Sequence, residues 1–594
     1  MSDSKPHLDD LNVIVLGQGG DGSLTVISIL ADVLRSAGLR AYTERNVLSR
    51  IKGGIVAATL RVSSRERLCT GSEVDLLLAF DALAVAKHVH RLNQNGIVIY
   101  DNSGGSLPPD SGIPGGAQVI GIPFSRHAVR HFRRDLYKNS ISSAVIGRLI
   151  GLGDNEVRGS FEKRFAPRGA QALQYNLEAL AVGHELADQA GLTADQGLYR
   201  IVSADCGPQM LITGNEAVAF GFAVAGGRFF AGYPITPATE IMEWLVKWLP
   251  SFGGVVQQAE DELSAANMAI GAALTGTRAM VATSGPGLAL MQEAIGQSGM
   301  AEIPLVLVDS QRAGPSTGMP TKPEQSDIMM MAHGGQGDFP RVVLAPGTPA
   351  ECFHLTVAAC NLAERYQLPV FVALDQGLSQ NLATIDPIEH GQVVVDRGKK
   401  LNAATLAQMD VYQRYAFSED GVSAFAAPGT AGGMSLVTGN EHDPFGLVST
   451  DPDNRIRMVQ KRQQKIETMR PDLPQAVTHG NATAEIGLIG VGMTYGVILE
   501  AMDILAADGV VTQYHQLRTL WPMLEETAAF TQRCQHVFVV EYNATGQLAR
   551  LIVAQGGEQA HICSILAYDG IPLRAASLAR EIKDRMRLRE DKVA

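Results

Sequence analysis

Four short stretches in the middle of the chain carry residue types suited to chemistry on a small anionic substrate. In Ala231–Glu240, AGYPITPATE, Pro234 and Pro237 fix their own backbone angles and bias the residues before them away from helix. Thr236 is then a hydroxyl on a stiff loop. In Val255–Gly271, a strand runs into Glu260, Asp261 and Glu262, and an Ala-rich helix follows. Acids in a first turn suit the helix dipole on their own account. The chemical alternative is a buried carboxylate turned towards a cofactor. In Ala282–Gly287, ATSGPG, another strand meets a turn at a helix start. In Ile303–Thr321, a buried strand delivers Arg312 to a loop rich in glycine and proline. A guanidinium there is a good carboxylate clamp, though on an open surface it would be unremarkable.

These stretches need a scaffold, and the surrounding pattern supplies one. Strands are expected at Arg228–Gly232, Gly254–Gln258, Ala279–Thr283, Leu305–Asp309, Arg341–Leu344 and Val370–Leu374, with a helix over Ala238–Leu249. Together they form an α/β block from near Cys206 to about Gln380. Ahead of it, Asn12–Leu16, Leu39–Glu44, Val74–Phe80 and Gly96–Tyr100 read as strands and Ser23–Ala37 as a helix. That βαβ pattern predicts a parallel sheet with helices on both faces. The stretch 385–480 is irregular and polar, apart from the charged, helix-like Asn454–Arg470. A third α/β block runs from Glu485 to the end.

A chain of 594 residues is too long for one core, so three or four domains are expected. The balance of 49 Lys and Arg against 61 Asp and Glu, a net charge of −12, argues against nucleic acid or an anionic membrane as partner. The start, MSDSKPHLDD, has no apolar signal core, and no run of 18 apolar residues could span a membrane. A cytoplasmic protein is expected. Cys69, Cys206, Cys352, Cys360, Cys534 and Cys563 form no CxxC pair. They offer no zinc ribbon and no ferredoxin-type cluster, so for redox chemistry the metal centre must sit on another chain. His88 and His90 have the spacing of strand residues on one face, without further ligands, and read as structural.

One glycine loop competes for attention. Gly17–Gly22 follows a strand and opens a helix, and Glu44 ends the next strand, which satisfies the GxGxxG dinucleotide pattern. Such a turn also serves plain strand–helix packing. The same loop holds Gly20-Asp21-Gly22, with Asn46 further on. This is a poor match to the magnesium and diphosphate signature of thiamine enzymes. Val47 follows Asn46 where a second asparagine belongs, and helix capping explains Asp21 without a metal.

GNEAVAFG at Gly214–Gly221, GYPITPATE, AEDELSAANMAIGA, TSGPGLALM, GPSTGMPT and EQSD at Glu324–Asp327 form a specific set, extended by GNEHDPFG at Gly439–Gly446 and EYNATGQLARL at Glu541–Leu551. On these motifs the chain resembles the α subunit of 2-oxoacid:ferredoxin oxidoreductases, in the form with the γ domain fused at its N-terminus, and most of all the 2-oxoglutarate type. The resemblance implies three α/β domains. These are a γ-type domain over 1–200, a thiamine diphosphate pyrimidine-binding domain over 201–385 and a transketolase C-terminal-like domain over 481–594. The segment 386–480 would connect the last two. It also makes the NAD-dependent Rossmann reading of Gly17–Gly22 much weaker.

The implied reaction is oxidative decarboxylation of a 2-oxoacid to acyl-CoA and carbon dioxide, or the reverse carboxylation, within a TCA-type or carbon-fixing route. Pyruvate or broad 2-oxoacid specificity is the alternative, and a non-catalytic scaffold subunit a further one. Thiamine diphosphate would be shared with a β subunit carrying Mg2+ and a [4Fe-4S] cluster in an α2β2 heterotetramer, with ferredoxin as electron acceptor. In such enzymes a glutamate lies nine residues before a helix glycine. Glu262 stands nine before Gly271, which selects it over Glu260 as the partner of the aminopyrimidine ring. Thr236 and Arg312 would bind the 2-oxo and carboxylate groups of the substrate. Tyr233, Pro234, Ile235, Ser284 and Gly285 would complete the cofactor site. Arg50 and Lys52, beside Gly53-Gly54, would recognise coenzyme A phosphates.

Overall fold

A computed structural model describes residues 7–8, 10–46, 54–192, 200–201 and 206–593. Arg50 and Lys52 lie outside the described residues. The chain divides into two compact units. One comprises Met1–Ile212, Asn381–Ile388 and Arg574–Ala576. The other comprises Thr213–Gln380, Glu389–Leu573 and Ser577–Ala594. Among the described residues no helix is long and apolar enough to cross a membrane.

The first unit is built on an eight-stranded sheet in the order Gln118–Ile122, Leu92–Asp101, Val74–Ala79, Asp10–Gln18, Ile55–Ser63, Arg40–Asn46, Ala383–Ile385 and Met210–Ile212. Alternate residues of Asp10–Gln18 feed two cores. Val13 and Val15 pack beneath the helices Ser23–Ser36, Lys138–Leu149 and Asp154–Phe165, while Ile14 and Leu16 face Ala84 and Val85 on the other side. The expectation of a parallel sheet holds only for the first four strands. The other half is antiparallel, because Ile55–Ser63, a strand the sequence reading missed, folds back on Arg40–Asn46 and inserts beside Asp10–Gln18. A connection of eight residues is too short for a parallel crossover.

The second unit holds two sheets. Seven strands run in the order Val255–Gln258, Phe229–Gly232, Ala279–Thr283, Leu305–Gln311, Pro369–Asp375, Val342–Leu344 and Thr519–Trp521, parallel except the last. Five strands run Val477–Gly480, Thr512–Gln516, Ile486–Gly490, His536–Glu541 and Ile562–Leu566, parallel except the first. One continuous apolar core, including Val281, Leu307, Phe371, Ile489 and Val539, serves both. The span 386–480 is anchored by charge. Glu302, fully buried, pairs with Lys461 and Lys465 of the helix Pro452–Met469. GNEHDPFG is part of the same anchor: Glu441 pairs with Arg455 and Arg462, and the His442 ring lies 3.9 Å from that of Tyr415.

Candidate functional site

The four chemical stretches converge at the C-terminal ends of the parallel strands in the seven-stranded sheet, where α/β folds bind ligands. Phe229–Gly232 ends the strand, and Tyr233 and Pro234 are exposed while Ile235 and Thr236 are half-buried. The loop is held from two sides. Asn215, fully buried in GNEAVAFG, donates to the Pro237 carbonyl at 2.8 Å, and Arg312 Nη1 donates to the Thr236 carbonyl at 2.7 Å. Thr213 caps the Asn215 helix by accepting from the Glu216 amide. These two residues explain physically why that motif accompanies the proline loop.

The three adjacent acids have three separate fates. Glu260 is exposed. Asp261 caps the following helix, accepting from the Ser264 amide at 2.7 Å. Glu262, the first helical residue, is 6% exposed. A Cβ placed on Gly287 would lie 2.8 Å from Glu262 Oε1 and would overlap the Thr283 hydroxyl, so glycine at 287 lets the carboxylate sit there. No hydrogen bond reaches that carboxylate among the described residues. Gly271 itself has open space at its Cβ position, so no neighbour among the described residues requires glycine there. Ser284 Oγ is fully buried and unpartnered, and Gly285 lies against Asp327, whose Oδ2 would be 2.6 Å from an added Cβ.

Arg312 is 9% exposed, and its Nε has no hydrogen-bond partner among the described residues. Burial draws its pKa down, while the charges of Asp327 and Glu262 pull the other way. Gly285, Arg312, Ser316, Glu324, Ser326 and Asp327 line a cavity of about 450 Å³. The structure thus brings Ser284, Gly285, Arg312, Glu262 and the Thr236 backbone to one place.

Two residues of the site escaped the sequence reading. Asp309, fully buried on the strand Leu305–Gln311, lies within hydrogen-bonding reach of Asp327. Burial pushes both carboxyls up, Asp327 to about 7. An acid inside the apolar run IPLVLVDSQ is the signal that could have found Asp309. EQSD is stapled in place by Gln325, which donates to Asp375 at 2.8 Å and to the Val491 carbonyl at 2.9 Å. Asn543 and Gln547 of EYNATGQLARL donate to the carbonyls of Gln325 and Ser326 at 3.1 and 2.7 Å. Two distant motifs therefore form one support.

The glycine loop of the first unit is filled by protein. The Gly22 Cβ position, at φ +88, is taken by the Asn139 side chain. Asp21 does not cap the helix as expected. It accepts from the Gln18 amide at 2.7 Å and pairs with Lys138 at 3.0 Å. Glu44 is equally engaged: Arg574 grips both its oxygens at 2.6 and 2.8 Å, and Thr70 donates at 2.6 Å. Burial works against ionisation, yet Arg574 and Thr70 hold this carboxyl below its ordinary value. Glu44, the acid that the dinucleotide reading assigns to a ribose, is thus engaged by protein, and the strand beside Asp10–Gln18 on that side is the antiparallel Ile55–Ser63. Among the described residues no group of three or more His, Cys, Asp or Glu could hold a metal ion.

Comparison with known proteins follows the same division. Residues 221–461 match the family described as pyruvate flavodoxin/ferredoxin oxidoreductase, thiamine diP-binding, and 12–186 match pyruvate ferredoxin/flavodoxin oxidoreductase. The chain is 30% identical to 2-oxoacid:ferredoxin oxidoreductase 2, subunit alpha, of Aeropyrum pernix, over 98% of this chain and 99% of that protein. It is 38% identical to 2-oxoglutarate synthase subunit KorA of Methanothermobacter thermautotrophicus, over 56% of this chain and 88% of that one. A solved structure of 2-oxoglutarate:ferredoxin oxidoreductase from Magnetococcus marinus, with 2-oxoglutarate, coenzyme A and succinyl-CoA bound, superposes with a TM-score of 0.89. It is 34% identical and covers 97% of this chain and 100% of that one.

Proposed function

The chain belongs to the 2-oxoacid:ferredoxin oxidoreductase family as an α subunit, and on that premise we propose that it works in a thiamine diphosphate-dependent 2-oxoglutarate:ferredoxin oxidoreductase. In the oxidative direction, 2-oxoacid and coenzyme A give acyl-CoA, carbon dioxide, one proton and two electrons for ferredoxin. The observation that carries the reading is the pair Glu262 and Arg312: a buried carboxylate with no hydrogen bond among the described residues and a buried guanidinium with an open Nε, at the strand ends.

The site suits an aminopyrimidine ring on one observation: Gly287 leaves room for the Glu262 carboxylate, which accepts no hydrogen bond among the described residues. Bound thiamine diphosphate supplies the carbon nucleophile that adds to the 2-oxo group. Glu262 holds a proton against the ring nitrogen and fixes the ring's tautomer. Arg312 spends one N–H on the Thr236 carbonyl and offers the rest to the substrate carboxylate. The Thr236 hydroxyl, on the loop that Arg312 and Asn215 hold, faces the 2-oxo group in this reading. Tyr233, Pro234, Ile235, Ser284 and Gly285 would shape the ring pocket. Mg2+, the diphosphate and a [4Fe-4S] cluster belong to a β subunit in this proposal, within an α2β2 assembly.

The test is co-purification with the neighbour-encoded β subunit, a visible spectrum, and assay of 2-oxoglutarate, pyruvate and a branched 2-oxoacid with coenzyme A and ferredoxin. The expected result is a brown complex that prefers 2-oxoglutarate, and a colourless, inactive chain when purified alone. Preference for pyruvate would move the substrate, and absence of any 2-oxoacid-dependent ferredoxin reduction would overturn the function.

A further inference from the structure

Beside the Arg312 cavity, Asp309 Oδ1 and Oδ2 and Asp327 Oδ2 are buried, and apart from each other they have no hydrogen-bond partner among the described residues. Each carboxyl lies within reach of the other. Two carboxylates in contact and out of water do not both ionise; a proton between them satisfies the orphaned oxygens and removes the repulsion. The pair is positioned with some care. Asp309 is fixed on a central strand, and the Asp327 amide donates to Gln311 Oε1 at 3.0 Å. The EQSD loop is held by Gln325, as described above. Asp327 is the member that reaches the cavity.

We propose that Asp309 and Asp327 share one proton, and that Asp327 is a positioning residue governing whether Arg312 is free to take a substrate carboxylate. Ionised, Asp327 competes for the guanidinium. Protonated, it releases it. Above neutrality a substrate carboxylate entering the cavity then draws a second proton from solvent onto the pair, which leaves both carboxyls neutral, so one proton is taken up per substrate bound. The proposal deepens the function above, because it rests on Arg312 as the carboxylate clamp.

The charged groups around Asp327 are few. Asp309 and Arg312 face it from the strand Leu305–Gln311 and the residue after it, and Glu324 from its own loop. Gly285, from the third element packed there, brings no charge. Glu262 acts on Arg312 from its helix. Burial and then the Glu324 charge raise the Asp327 carboxyl to about 7, with Arg312 opposing, which puts the exchange in the neutral range.

The experiment uses the complex with its β subunit and follows KM for 2-oxoglutarate against pH. In the wild type, KM should rise about tenfold per pH unit above neutrality while kcat changes little. Asp327→Asn, permanently neutral, should give a low KM that is flat with pH. Asp309→Asn keeps an amide donor for Asp327, favours its ionised form and should move the rise to lower pH. A wild-type KM independent of pH, or two variants that shift KM in the same direction, overturns the proposal. A second measurement needs no substrate: the infrared carbonyl band of a protonated carboxyl in the wild-type chain, titrating near neutrality. Its absence overturns the shared proton even if neither variant folds. A titrating band without turnover of any 2-oxoacid overturns the substrate reading, and with it the coupling to Arg312.

Discussion

The turn at Gly17–Gly22 and the turns around Thr236, Ser284 and Arg312 are assembled from the same parts: a buried strand, a glycine- or proline-bearing loop and a helix start. They differ in what happens to charge. In the first unit Asp21 is paired with Lys138, Lys138 also with Asp135, and Glu44 with Arg574 and Thr70. The buried unpartnered atoms beside that turn are neutral, Ser23 Oγ and Asn139 Oδ1, while Arg164 Nε is left open elsewhere in the unit. In the second unit Arg312 Nε, both Asp309 oxygens and Asp327 Oδ2 are buried without ion-pair partners among the described residues, and Glu262 is buried beside them. A buried charge left open costs several kcal/mol, and sites that tolerate this cost are sites where a ligand supplies the partner. A glycine motif therefore says little until the charges beside it are followed to their partners.

The largest expected effect tests the open side of the comparison. Glu262→Gln in the complex should lower 2-oxoacid decarboxylation by about 10²–10⁴-fold, with circular dichroism and β-subunit association unchanged. Unchanged turnover would remove Glu262 from the chemistry.

The paired side should answer in stability. Glu44→Gln leaves Arg574 without its carboxylate and should cost about 3–5 kcal/mol, read from denaturant unfolding of the first unit's transition. The pH dependence has a definite sign. The folded Glu44 carboxyl lies below its unfolded value of about 4.3. The ion pair's contribution is complete above that value and lost as pH falls through the lower folded value. The stability gap between wild type and Glu44→Gln should close in acid; a gap independent of pH would show that the pair is not what the substitution removes.

The smallest effect separates the two glycines. Gly22→Ala and Gly287→Ala each force a Cβ onto a neighbour and should each cost about 1–3 kcal/mol. Only Gly287→Ala meets the Glu262 carboxylate, so it alone should lower kcat. Equal loss of kcat in both variants would erase the distinction between the two turns.

The amino-acid sequence by itself determined the α/β class, most strands of both units and the residues Thr236, Glu262, Ser284, Gly285 and Arg312 as candidates. The strands and the loop candidates rest on local pattern: apolar runs of strand length, prolines in a loop, an arginine after a strand. The choice of Glu262 over Glu260, and of Ser284 and Gly285 as cofactor residues, rests on the family resemblance. The separation of Glu260, Asp261 and Glu262 into an exposed residue, a cap and a buried acid needed the tertiary structure, because adjacent residues on a helix start differ only in what packs against them. The antiparallel half of the first sheet was equally hidden, since Ile55–Ser63 is assigned by its pairing with Arg40–Asn46 and Asp10–Gln18. So was the fate of Glu44, whose partner Arg574 lies 530 residues away. The Asp309–Asp327 pair and the Gln325–Asn543–Gln547 support joined the site the same way. Burial and charge pairing are contact properties, and contacts between distant residues exist only once the chain has folded.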